Sequence, residues 1–520
     1  MRIRSRKSFK TQKIALMGVL LVPVVLIGSI AGVSSYLYST IPLFGMDESK
    51  MPEISAFDPG NYTLLAEMAE FYEQRYEAFH MPLNYTVPTV FTGTNRTNVS
   101  KYIFTDNGCL YTAKAMAAYV GKYLAAKREN NATMLNDSIN ILRNLTHGMS
   151  MMLAVPNGGL GSEYGSILAR MWAAPEHKDY PGMPLFGPDE EDGPRPYAYY
   201  NGTGQYNQWR YSDFTSLDEH GGYYMGIAIA FKYIEEEDAP DIHATLKLII
   251  DQLCTGMKQT NYLGLGGYGG PTGTEQKSRF FVGGSWVLLL MKMGAIAFPE
   301  KYERLYYHYA IDEGYAYYTQ EGGPQEIIAN YYAYNFGSDV SFALMMLEED
   351  PILLSQYTKN FNNGMWSYVK THRNVQLNTY HLLVNRLTPG TDVYYERDIE
   401  DQLMEFYDTH FPDVYGPINS PGPEFNLVDF SQWSWFFDFH PLGNTLAPLF
   451  FEFDLDKDFY DRPLNVSMRR TRNYMWGGNP FQVQNPNISL ETEQSGLSFL
   501  MPYWLMRGFG YINSSGVRNI

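Results

Sequence analysis

Apolar side chains recur at i, i+3, i+4 and i+7 along most of the chain, the spacing that lines one face of an α-helix, and strict strand-like alternation is scarce. The pattern predicts helices over 106–127, 131–153, 216–236, 241–259, 278–297, 299–318, 338–348 and 351–371. Shorter ones are expected near 375–385, 397–410, 433–451, 462–476 and 494–511, and one more lies ahead of them over 61–80. The fold class is therefore all-α.

The helices are not alike. Segments 216–236 and 278–297 are apolar nearly all round and should be buried, whereas their neighbours carry one polar face and should lie outside. The links alternate too: Glu235 to Pro240 and Glu348 to Pro351 are short and acidic, while the links at the opposite end are long and rich in Gly, Tyr and Trp. Long loops on a rigid scaffold are where function usually sits. An internal echo supports stacked helical hairpins. "ILRNLTHGM" from Ile141 aligns without gaps on "IIDQLCTGM" from Ile249, and a Gly-Met pair returns at the same offset at Gly364-Met365.

In "SLDEHGGYYMGIAIAFKYIEE" (216–236), "IIDQLCTGMKQTNYLGLGGYGGPTGT" (249–274) and "HRNVQLNTYHLLVN" (372–385), the chain resembles the six-hairpin glycosidase superfamily. The likeness covers the helical part loosely and includes no diagnostic catalytic signature. It implies an (α/α) toroid of six or seven helical hairpins, with an active face where outer helices lead into inner ones, which is the long-loop face.

The N-terminus changes the picture. Arg2, Arg4, Arg6, Lys7, Lys10 and Lys13 precede an uncharged run of twenty residues from Ile14 to Val33. At about 1.5 Å per residue that run spans a bilayer core of about 30 Å, with the basic flank cytoplasmic. A cleaved signal peptide is the rival, but its apolar core is normally shorter. The expected organisation is a cytoplasmic tail (1–13), a transmembrane signal anchor (14–34), an extracellular stalk with one helix (35–100) and the toroid (101–520). Eleven N-x-S/T sequons, at Asn61, Asn84, Asn95, Asn98, Asn131, Asn136, Asn144, Asn201, Asn465, Asn487 and Asn513, agree with an exterior location. The net charge of −17 excludes a nucleic-acid partner. Cys109 and Cys254 allow at most one disulfide, and the sequence leaves their pairing open.

Candidate chemistry follows from residue types. Cleaving a glycosidic bond takes a carboxylic acid and a second carboxylate roughly 5–9.5 Å apart. Asp218 and Glu219, in "SLDEHGG", are the leading pair, although a carboxylate at a helix start is also an ordinary cap. Glu163, Asp213, Glu275, Asp339 and Asp438 are the other acids expected on the same face. His220, Trp209, Arg210, Tyr268, Trp433 and Trp435 are expected to bind substrate, because sugar faces stack on aromatic rings. Arg373 and His381 offer a second chemistry, a polysaccharide lyase that neutralises a uronate carboxylate and abstracts the α-proton.

Sharper motifs fail. "GLGGYG" (264–269) has dinucleotide-loop spacing but follows a helix instead of a strand. "DLDKDFYD" (454–461) starts like a calcium loop, yet Phe459 stands at the required glycine and Asn465 at the bidentate glutamate. No cofactor and no metal is expected. The expected partners are a carbohydrate and, through 14–34, the membrane; a surface glycan-binding or structural protein is the non-enzymatic alternative.

Overall fold

The computed structural model describes residues 47–57, 63–105, 107–186, 199–213, 215–267, 270–277, 283–319, 330–409, 420–428, 458–469, 474–483 and 491–515. The helices in chain order are α1 (Leu64–Arg75), α2 (Gly108–Arg128), α3 (Ala132–Asn157), α4 (Leu217–Tyr233), α5 (Pro240–Gln259) and α6 (Gly283–Ala297). They continue with α7 (Pro299–Tyr307), α8 (Tyr332–Leu347), α9 (Pro351–Phe361), α10 (Val375–Val384), α11 (Val393–Thr409) and α12 (Leu497–Gly508).

The tight links have a covalent origin. Pro240, Pro299 and Pro351 each stand at the first position of a helix, where the missing N–H costs nothing, and each pushes the preceding residue out of helical conformation. The helix before therefore stops and the next begins within a few residues. At α9, Asp350 completes the start by accepting from the Ile352 and Leu353 amides.

Even-numbered helices pack on one another. α2 lies against α4, α4 against α8, α8 against α10 and α10 against α12, and α12 returns to α2, with α6 set against α4 and α8. Odd-numbered helices lie on them: α3 on α2, α5 on α4 and α6, α7 on α6, α9 on α8, α11 on α10 and α1 on α12. Small residues allow the closest approaches. A Cβ at Gly222 of α4 would fall 2.5 Å from Leu110 Cα of α2, and one at Gly121 of α2 would fall 2.5 Å from the Trp504 carbonyl of α12.

One apolar core runs from Leu65 in α1 to Ile512 after α12. The helix expected inside a stalk is thus part of that core: Leu65, Met68, Tyr72 and Tyr76 are buried, and α1 packs on α11 and α12. Amphipathicity predicted the helix, but which body its apolar face joins is a long-range matter.

Short strands, which the periodicity did not reveal, knit the loops. β1 (Thr89–Phe91) pairs with β2 (Val99–Tyr102) and with β8 (Thr492–Glu493). β3 (Met171–Ala173) and β4 (Tyr199–Asn201) flank β5 (Arg210–Ser212), and β6 (Leu263–Leu265) pairs with β7 (Pro271–Glu275). Gly264 and Leu265 of the GLGGYG run lie in β6, which follows α5 and pairs with β7.

Other expectations are corrected. α7 ends eleven residues before the expected 318, at Tyr307, passing into a π turn over His308–Asp312. The 351–371 helix breaks at a π turn, Asn362–Trp366, where Gly364 leaves helical dihedrals. No helix forms over the described part of 462–476, only short turns at Val466–Met468 and Met475–Gly477. There Arg469 turns back to donate to the Leu464 carbonyl. The expected helix at 433–451 and the apolar segment 14–34 lie outside the described residues, and among those described no helix is long and apolar enough to cross a membrane.

Asn95, Asn98, Asn131, Asn136, Asn144 and Asn201 are exposed sequon positions, whereas Asn84, Asn465 and Asn513 are partly buried. Cys109 and Cys254 are both buried and unpaired.

Candidate functional site

Ser216 ends the extended segment that follows β5 and starts α4, leaving Asp218 and Glu219 in the first helical turn. Neither caps its own helix. Ser216 donates its hydroxyl to Asp218 Oδ1, and the Tyr332 hydroxyl of α8 donates to Asp218 Oδ2 at 3.2 Å. Asp218 is half-buried, so its carboxylate is held by two hydroxyls while retaining access to solvent.

Glu219 has a different fate. It is fully buried, and its Oε2 accepts from the Cys109 amide at 2.8 Å, so it satisfies the start of α2 from a neighbouring helix. Burial pushes its carboxyl up to about 8; the Arg170 charge works against this and the Asp218 charge adds to it. Glu219 thus ties the start of α4 to the start of α2 through the Cys109 amide.

Arg170, just before β3 and nearly buried, donates from Nη2 to Ser216 Oγ at 2.9 Å and lies within electrostatic reach of Glu219 and Asp213. Asp213 follows β5 and accepts from the Gly267 amide at 2.6 Å. Burial raises its carboxyl above the ordinary value, opposed by that amide and by Arg170. Gly267 is required here, because a Cβ would stand 2.7 Å from both Tyr200 Cδ2 and the Tyr211 hydroxyl oxygen. Those two rings stack at 5.6 Å beside Asp213.

His220 completes the group. Its Nδ1 lies 3.0 Å from the Ser216 carbonyl, its ring meets Tyr224 edge-on, and burial lowers its imidazole to about 4. Nε2 is buried without a hydrogen-bond partner among the described residues.

Asp339 is not at a helix start. α8 begins at Tyr332, so Asp339 lies two turns inside, fully buried against Lys114 of α2, with Lys114 Nζ at 2.5 and 2.6 Å from its two oxygens. Tyr380 and Gln376 of α10 donate to the same carboxylate at 2.7 and 3.0 Å. Burial lowers the Lys114 ammonium and raises the Asp339 carboxyl, each opposed by the other's charge. This is a structural lock between α2, α8 and α10.

The remaining expectations scatter. Glu163 is exposed, on a loop that Gln252 of α5 pins through Gly161 and Gly165, and Glu275 is exposed at the end of β7. Trp209 stacks on Trp172 at 5.4 Å, and Arg210 bonds Asn201 and the Leu185 carbonyl, so both stabilise the β3–β5–β4 sheet. Arg373 is consumed by Asp398, Asp401 and Asn465 at 2.8, 2.6 and 2.8 Å. His381 lies flat on Trp366 at 4.1 Å, with Asp392 at 3.5 Å. Neither joins the Asp218 group. Tyr268, Trp433, Trp435 and Asp438 lie outside the described residues.

Arg170, Ser216, Tyr332 and Gly267 were not singled out by sequence. A lone arginine inside the apolar run "SILARMWAAP" is a legible sign of a buried cation needing acids; the others carry no local signal. Among the described residues, no group of His, Cys, Asp and Glu could hold a metal ion. Comparison with protein-family models, curated proteins and solved structures finds no match in any of the three.

Proposed function

We propose that the protein is a membrane-anchored, outward-facing glycoside hydrolase built on an (α/α) toroid of six helical hairpins. The closed series of contacts among even-numbered helices, with odd-numbered helices outside, supports the toroid. The anchor at 14–34 and the sequons support the location. One observation carries the activity: Asp218, partly open to solvent, is oriented by Ser216 and Tyr332, and Ser216 in turn accepts from Arg170, whose charge also reaches a second carboxyl, Asp213, whose proton affinity burial raises.

Asp213, whose proton affinity burial raises, acts as the general acid toward the leaving glycosidic oxygen. Asp218, as carboxylate, takes a proton from the attacking water or attacks the anomeric carbon itself, and the C–O bond breaks. Arg170 orients Asp218 through Ser216, and its charge reaches Asp213. Tyr200, Tyr211 and Tyr332 supply ring faces and hydroxyls for a sugar.

The test is turnover of a glycan panel by the full chain and by Asp218→Asn and Asp213→Asn. The proposal requires each variant to lose at least about a hundredfold in kcat with the fold intact. Undiminished turnover in both removes them from the chemistry. A non-catalytic glycan-binding protein is the second reading, favoured by the near-complete burial of Asp213 and by the ion pair that fills the space between α2, α8 and α10. The lyase chemistry loses its footing, because Arg373 already neutralises two carboxylates of α11.

A further inference from the structure

α3 buries Leu142, Leu145, Met149 and Met152 on one side, and its opposite face meets solvent, where Thr133, Asn136, Asn140, Asn144 and His147 are all exposed. Three N-x-S/T asparagines stand along that helix. Asn131 is its N-cap, and Asn136 and Asn144 follow on the exposed face, so the three are spread over about 20 Å at 1.5 Å per residue. Asn201 continues the line. Thr203, the third residue of its sequon, donates from its amide to the Val155 carbonyl at 3.0 Å and from its hydroxyl to the Pro156 carbonyl at 2.7 Å, in the last turn of α3. Among the described odd-numbered helices α3 alone carries sequons, and none occurs between residues 202 and 464, the stretch that holds α5, α7, α9 and α11.

The two ends of the line share a side-chain geometry. Asn131 Oδ1 accepts from the Met134 amide at 3.1 Å, and Asn201 Oδ1 accepts from Arg210 Nη1 at 3.1 Å. Both partners can only donate, so the atom they hold is the oxygen and the amide nitrogen is the outward branch. That nitrogen is the atom a glycan takes. Glycosylating Asn131 therefore leaves the helix cap in place, because the cap uses the other atom.

Resting on the outward location proposed above, we infer that Asn131, Asn136, Asn144 and Asn201 are N-glycosylation sites whose glycans form one stripe along the outer face of α3. The donor is an oligosaccharide carried on a lipid pyrophosphate. Asn Nδ2 bonds the anomeric carbon, the C–O bond to the pyrophosphate breaks, the lipid pyrophosphate leaves, and the nitrogen gives up one of its two protons.

The experiment produces the full chain in eukaryotic cells, purifies it in detergent and removes the glycans with an amidase in heavy-oxygen water, which marks each formerly glycosylated asparagine as a labelled aspartate for peptide mass spectrometry. At least three of the four positions should carry the label. Two or fewer, with any other sequon labelled, overturns the stripe and leaves the outward location standing; no label at any of the eleven sequons overturns both. Hydroxyl-radical footprinting reads the cover itself. His147 gains label once the glycans are removed, whereas Ile352, exposed on α9, does not, and no gain at His147 overturns the stripe. Thr133→Ala loses one glycan and keeps the melting temperature, while Asn131→Ala loses the glycan and the cap and melts lower. Equal melting of the two variants overturns the division of labour between oxygen and nitrogen at Asn131.

Discussion

Replacing Glu219 by Gln isolates one buried proton. The carboxyl lies between α4 and the first turn of α2, and burial moves it from an ordinary value of 4.5 up to about 8. A pKa raised by folding means the folded state holds its proton longer than the unfolded chain does. The stabilisation is complete below 4.5 and is lost as pH rises through about 8. Each pH unit in that window removes about 1.4 kcal/mol, and the whole window about 5 kcal/mol at most. Glutamine keeps an oxygen for the Cys109 amide and has nothing to ionise. Urea unfolding of both proteins at intervals from pH 5 to 9 gives the difference directly, with other titrating groups cancelling. Wild type should lose stability relative to Glu219→Gln as pH rises, the gap flattening above about 8. Parallel curves across the range would refute the idea that this carboxyl is held protonated in a closed site.

Other outcomes follow from the packing. Lys114→Met leaves Asp339 buried without its cation and should cost about 3–5 kcal/mol in urea unfolding at pH 7; a loss below about 1 kcal/mol means the pair is not desolvated. Gly222→Ala forces a methyl to within 2.5 Å of Leu110 Cα and should cost about 1–3 kcal/mol, so an unchanged melting temperature contradicts the close approach of α2 and α4. Under denaturing, non-reducing conditions a thiol reagent should titrate both Cys109 and Cys254; finding neither reactive would mean that they pair.

Periodicity and proline placement made the helices legible, and with them the all-α class, because both act within a few residues. The alternation of buried and amphipathic helices was also visible, since a helix apolar on every side has only one stable environment. Less of the site could be read. Asp218 stood out because acids crowd a helix start, but Glu219 beside it looked equivalent, and only the arrival of α2 separates an enclosed carboxyl from an accessible one. Asp339 was misread because α8 begins earlier than its local pattern shows, and nothing local marks Lys114, in an alanine-rich stretch, as its partner.

By itself, the sequence determined that the chain is helical, where proline starts a helix, which faces seek the core, and how many acids and aromatics were available near each loop. The tertiary structure decided which acids meet which cations, which histidine nitrogen is left bare, and which carboxyl stays protonated. Those outcomes depend on desolvation and on partners far apart in the chain, such as Cys109 with Glu219 or Lys114 with Asp339, and no local pattern encodes either.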